Sequence, residues 1–115
     1  MLPAPAIRNG VRRMRADVIK LISRGYEKNE YGVERPVETE RLIYCHVGGI
    51  TRSEFFEAGR NGLNPDFVFY VFFGDYNGES ICEYNGKRYA VYRTYNDSVH
   101  DRMELYVQRE GGTNG

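Results

Sequence analysis

Glu79-Ser80-Ile81-Cys82-Glu83-Tyr84-Asn85-Gly86-Lys87-Arg88-Tyr89-Ala90-Val91-Tyr92-Arg93-Thr94-Tyr95 is the stretch that decides the fold class. Two runs rich in aromatic and β-branched residues flank Asn85-Gly86. A type I′ turn needs positive φ at both central positions, which Asn and Gly tolerate, so the stretch reads as a hairpin of strands 79–84 and 87–95. On its C-terminal side Asn96-Asp97-Ser98 opens a loop, and 102–109 then alternates, with Met103, Leu105 and Val107 inward and Glu104, Tyr106 and Gln108 outward. On its N-terminal side Asp75-Tyr76-Asn77-Gly78 forms a turn. The apolar run 67–73 before it predicts a strand buried on both faces.

Further toward the N-terminus, 33–47 has a period of two. Val37, Thr39, Ile43, Cys45 and Val47 share one face, with Arg41 the exception, and Glu38, Glu40, Tyr44 and His46 share the other. Pro36 cannot donate to a ladder, so this strand starts at an edge or at a bulge. Residues 17–26 read as another strand, and Asn29-Glu30-Tyr31-Gly32 as the turn between the two. Five or six mostly antiparallel strands joined by tight turns make an all-β fold, a sandwich or a small open barrel. The segment 48–66 is too long for a hairpin loop. Thr51 or Ser53 can cap a helix there, Glu54 can complete a capping box with Thr51, and Gly59 or Gly62 can end it. A short helix within a long inserted loop is predicted.

The domain spans 17–110, preceded by an arm over 1–16 and followed by a Gly-rich tail over 111–115. The 115 residues hold sixteen basic and sixteen acidic side chains, a formal net charge of zero. That is not the global basic field of a dedicated nucleic-acid binder. The zero conceals an asymmetry. Residues 1–24 carry six basic residues against Asp17 alone, +5; 25–57 sum to −3 and the remainder to −2. A basic arm carrying Arg8, Arg12, Arg13 and Arg15 on a mildly acidic body suits docking to an acidic neighbour.

The sequence predicts no enzyme. It has two histidines, no phosphate-cradling Gly-rich loop, no His-Glu-x-x-His and no Gly-x-Ser-x-Gly. Asp97 and Asp101 beside His100 read as a solvated turn. Cys45, His46, Cys82 and His100 do not read as a zinc set, because adjacent strand residues point to opposite faces. Two cysteines make no disulfide framework, and neither cofactor nor metal is expected. The apolar runs fall short of a membrane span and the start lacks a secretory pattern, so a soluble protein of the cytoplasm is expected. One alternative is an OB-like module that stacks single-stranded bases on Tyr76, Tyr84, Tyr89, Tyr92 or Tyr95.

The inserted segment Thr51-Arg52-Ser53-Glu54-Phe55-Phe56-Glu57-Ala58-Gly59, with Gly62-Leu63-Asn64-Pro65, resembles the middle of the head-tail joining (head-closure or stopper) proteins of tailed phages. So does the ordered series around it. Lys28-Asn29-Glu30-Tyr31-Gly32 resembles an early turn of that family and Phe67-Val68-Phe69 its central strand. Asp75-Tyr76-Asn77-Gly78-Glu79, then 84–95, then Asp101-Arg102-Met103-Glu104-Leu105-Tyr106 resemble its remaining elements. The likeness covers roughly 24–110 and leaves out the basic arm.

The resemblance implies a small β-barrel or sandwich assembled as a six- or twelvefold ring in the neck of the virion. The ring would lie between the portal or its adaptor and the tail terminator or tail tube. It would retain packaged DNA without sequence-specific contact and offer the tail a docking surface. Thr51, Arg52, Ser53, Glu54, Phe55, Phe56, Arg60 and Asn61 would then face the channel or the next subunit.

Overall fold

A computed structural model describes residues 16–110 of the chain. Six strands are joined in one closed, fully antiparallel barrel: β1 (Ala16–Lys28), β2 (Glu34–Gly48), β3 (Pro65–Phe72), β4 (Ile81–Tyr84), β5 (Lys87–Asp97) and β6 (Arg102–Arg109). Their order around the wall is β1-β2-β3-β6-β5-β4. The all-β expectation holds, with the barrel closed rather than open. The basic arm with Arg8, Arg12, Arg13 and Arg15, and the tail over 111–115, lie outside the described residues.

The β4–β5 hairpin turns on Asn85 and Gly86 at φ of 53° and 77°, as a type I′ turn requires. β4 is shorter than the sequence reading and starts at Ile81. Glu79 is drawn out of the strand because its carboxylate accepts hydrogen bonds from Arg41 and from the Asn77 N–H.

The β1–β2 hairpin is longer than read, with thirteen register pairs from Ala16↔His46 to Lys28↔Glu34. β4 covers β1 only at Lys20–Ile22, and β3 covers β2 only at His46–Gly48. The outer part of the hairpin is therefore an arm that runs past the barrel wall. Ile43 and Cys45 are buried on the face predicted, but Thr39 on that same face is exposed, since it lies out on the arm. Arg24 on this arm pairs with Glu38 and Glu110, and Glu38 pairs in turn with Arg88 of β5. These pairs fasten the arm to β5 and to the residue after β6.

Inside the barrel Phe69, Leu21, Leu105, Val107 and Cys82 are fully buried, with Ile19, Val71, Cys45, Ile43 and Tyr89 beside them. Phe67, Phe69, Tyr84 and Tyr89 interlock with ring centroids 5.3 to 6.4 Å apart. β3 is covered on both faces only over 67–71, where Val68, Phe69 and Val71 are buried and Phe67 and Tyr70 half-buried. Phe72 and Phe73, read as part of the doubly buried run, are exposed at the end of the strand.

The inserted segment contains α1 (Arg52–Arg60). Thr51 is its N-cap, its Oγ1 accepting from the Glu54 N–H at 3.2 Å, whereas Ser53 lies within the helix. Gly62 at φ 77°, rather than Gly59, closes it. The Leu63 N–H reaches the Ala58 carbonyl and the Gly62 N–H the Gly59 carbonyl, a Schellman arrangement.

Candidate functional site

α1 has one fastened face and one open face. Ala58 is buried, and so is Val68, although Val68 points away from the barrel interior on β3, the strand on which the helix rests. Glu54 fixes the helix further along the wall. Its Oε1 lies 2.5 Å from Arg93 Nη2, and its Oε2 accepts from the Tyr92 hydroxyl at 2.7 Å. The Arg93 hydrogen bonds, joined by that of Tyr92, hold the Glu54 carboxyl below the usual carboxylate range against the opposing effect of burial. The Glu54 carboxylate is thus committed to β5 and does not return to the cap, so only half of the predicted capping box forms.

A bulge in β5 makes this contact possible. The register with β6 slips between Val91 and Arg93, leaving Tyr92 as the extra residue. Before the bulge Tyr89 and Val91 turn inward. After it Arg93 turns outward, its guanidinium 4.1 Å from the centre of the Tyr106 ring and within reach of Glu54. Alternation read from the sequence has no means of placing such a slip.

The open face presents Phe55 and Phe56, 49% and 61% exposed, with ring centroids 6.2 Å apart and edge to face. Arg52 and Ser53 are exposed beside them, and Arg52 makes no ion pair among the described residues. Arg60 pairs with Glu57 at 3.3 Å, and the Asn61 side chain donates to the Glu57 carbonyl. Of the eight positions singled out in this segment, Glu54 is therefore internal. Thr51 and Asn61 serve the helix ends, while Arg52, Ser53, Phe55, Phe56 and Arg60 face outward.

A second cluster, missed by sequence reasoning, closes the end of the barrel from which the β1–β2 arm leaves. Arg41 follows the alternation of β2 and points inward, where its Nη2 meets Glu79 Oε2 at 2.7 Å and the Asp75 carbonyl at 2.6 Å. Burial opposes ionisation of Glu79, but the Arg41 hydrogen bonds and the Asn77 N–H outweigh it, so the carboxyl sits below its ordinary range. The signal in the sequence was Arg41 itself, a charge on an apolar face.

The five tyrosines considered for base stacking are mostly engaged elsewhere. Tyr89 is buried and Tyr84 packs into the core, its hydroxyl donating to Asp17. Tyr76 donates to the Glu79 carbonyl and Tyr92 to Glu54. Tyr95 alone of the five is exposed.

A cleft of about 460 Å³ opens where β2 and β3 part, and it brings His46 and His100 to one lining with Tyr44, Tyr70 and Arg102. Cys45 and His46 do fall on opposite faces of β2. No group of three or more His, Cys, Asp or Glu among the described residues is placed to hold a metal ion. Burial raises both thiols, Cys45 and Cys82, to about 12, far from nucleophilic character. Among the described residues no helix is long and apolar enough to cross a membrane. No protein-family model matches the sequence, and no curated protein matches it.

Proposed function

We propose that this chain is a structural subunit of the neck of a tailed phage, a head-completion protein. Copies form a homo-oligomeric ring between the portal or adaptor and the tail. The ring holds packaged DNA in the head and gives the tail a surface to dock on. The observation that carries the reading is the two-faced helix of the inserted segment. One side is bolted to the barrel by Glu54 and Ala58. The other shows solvent Phe55, Phe56 and Arg52, the last with no ion pair among the described residues. Adjacent exposed aromatics on a rigid support are what a protein contact uses as an anchor, and head-to-tail contact between identical copies closes a ring. The ordered likeness of 24–110 to the head-tail joining proteins supports the same reading.

Immunogold labelling of virions from cells that encode the chain tests it. Label at one vertex, between capsid and tail, is the expected result; virions free of label overturn the proposal.

A further inference from the structure

The sequence contains five Asn-Gly pairs, at 9–10, 61–62, 77–78, 85–86 and 114–115. Asn followed by Gly is the dipeptide most prone to convert itself chemically, because no side chain on the second residue obstructs its backbone nitrogen. Three of the five lie among the described residues, and the fold treats them differently.

Asn61-Gly62 is locked. The attacking group would be the Gly62 nitrogen, whose N–H is bound to the Gly59 carbonyl, and the Asn61 amide is held by the Glu57 carbonyl. Asn85-Gly86 is fixed as a two-residue turn between the paired residues Tyr84 and Lys87. Asn77-Gly78 lies in the segment between the short 3-10 turn Phe73–Asp75 and β4, outside any helix or strand. Both residues are exposed, and the Asn77 side-chain amide makes no hydrogen bond among the described residues. They border an open depression of about 330 Å³ shared with Ser23, Thr39, Arg41 and Glu79, which gives water access to the site.

We propose that Asn77-Gly78 is a self-modification site at which the folded protein ages by deamidation. The Gly78 backbone nitrogen gives up its proton to solvent and attacks Asn77 Cγ. A new N–C bond closes a five-membered succinimide, the bond to the side-chain nitrogen breaks, and that nitrogen leaves as ammonia. Water then opens the ring at either carbonyl to give aspartate or isoaspartate, so one water enters and one ammonia departs. The product takes the net charge of the chain from zero to −1. It places a second carboxylate beside Glu79, whose Oε1 now accepts from the Asn77 N–H at 2.9 Å. The isoaspartyl product also lengthens the backbone of the segment that holds the Arg41–Glu79 closure.

The test incubates the full chain at 37 °C and mildly alkaline pH and follows each Asn-Gly peptide by mass spectrometry, with isoaspartyl methylation as a second readout. Conversion at Asn77 is expected to outpace that at Asn61 and Asn85 by about tenfold or more, since those two react only through local opening. In denaturant the three rates should converge. Native rates at Asn61 or Asn85 equal to or above that at Asn77 overturn the proposal.

Discussion

Aromatic residues occupy two regions of this molecule under opposite conditions. In the barrel interior Phe69, Tyr84 and Tyr89 interlock with Phe67, and the Tyr84 hydroxyl is matched by Asp17. On α1 Phe55 and Phe56 touch each other and face solvent. The two groups share one chemistry and differ in what they do. The first holds the barrel closed, and the second adds nothing to closure. Between them lie carboxylates that tie loop and helix to the wall, Glu79 deep in the structure and Glu54 nearer its surface.

Replacing a residue of the inner group breaks the molecule. Phe69→Ala should lower the unfolding free energy by about 3–5 kcal/mol, read by urea denaturation, because the packed barrel cannot collapse around the void. Glu79→Ala comes next. It strands Arg41 and the Asn77 N–H, and about 2–3 kcal/mol should be lost, a figure reduced because the guanidinium keeps some access to water. Glu54→Ala should cost about 1 kcal/mol by the same measurement, since Tyr92 and Arg93 can turn to solvent.

Acid sharpens the contrast further. Glu38, Glu54 and Glu79 all have carboxyls held below their ordinary range, so the unfolded chain takes up protons at these groups before the folded one does. Their contribution is complete above the unfolded value and is lost as pH falls through the folded one. For Glu38, held chiefly by Arg88 and then Arg24, the window runs from 4.5 down to about 2. Urea midpoints should fall across it, and the Glu38→Gln variant should show a shallower fall. Smallest in stability is Phe55→Ser with Phe56→Ser, within about 0.5 kcal/mol of the parent because both rings are already solvated. The same double variant should yield heads that leak DNA or lack tails when it replaces the parent chain in particles; tailed, filled particles at parental yield would count against the neck reading.

The sequence disclosed those parts of the fold that local rules govern. Asn85-Gly86 announced its turn, the alternation of 102–109 survived intact in β6, and the Thr51 cap and Gly62 stop bounded the helix. Features that depend on distant pairing were out of reach. Closure of the barrel requires β4 to find Lys20–Ile22, some sixty residues earlier. Nor does an apolar run disclose where its outer face stops being covered, as at Phe72. At the candidate site Phe55 and Phe56 were singled out only through the resemblance of the inserted segment, and the diversion of Glu54 from its cap to Arg93 was not legible, because it hinges on the slipped register at Tyr92.

That slipped register also gives β5 a division of labour. Its first part furnishes the barrel lumen and its second part furnishes the exterior, with one supernumerary tyrosine acting as the phase shifter between them. Were the same residues paired without the slip, Tyr92 would lie opposite Tyr106 and every side chain that follows would invert, sending Arg93 toward the lumen and away from the helix it secures, whereas removing Tyr92 would leave Arg93 opposite Tyr106. The outward aim of Arg93 is therefore set by where the ladder slips, one residue before it, rather than by the count of residues in the strand.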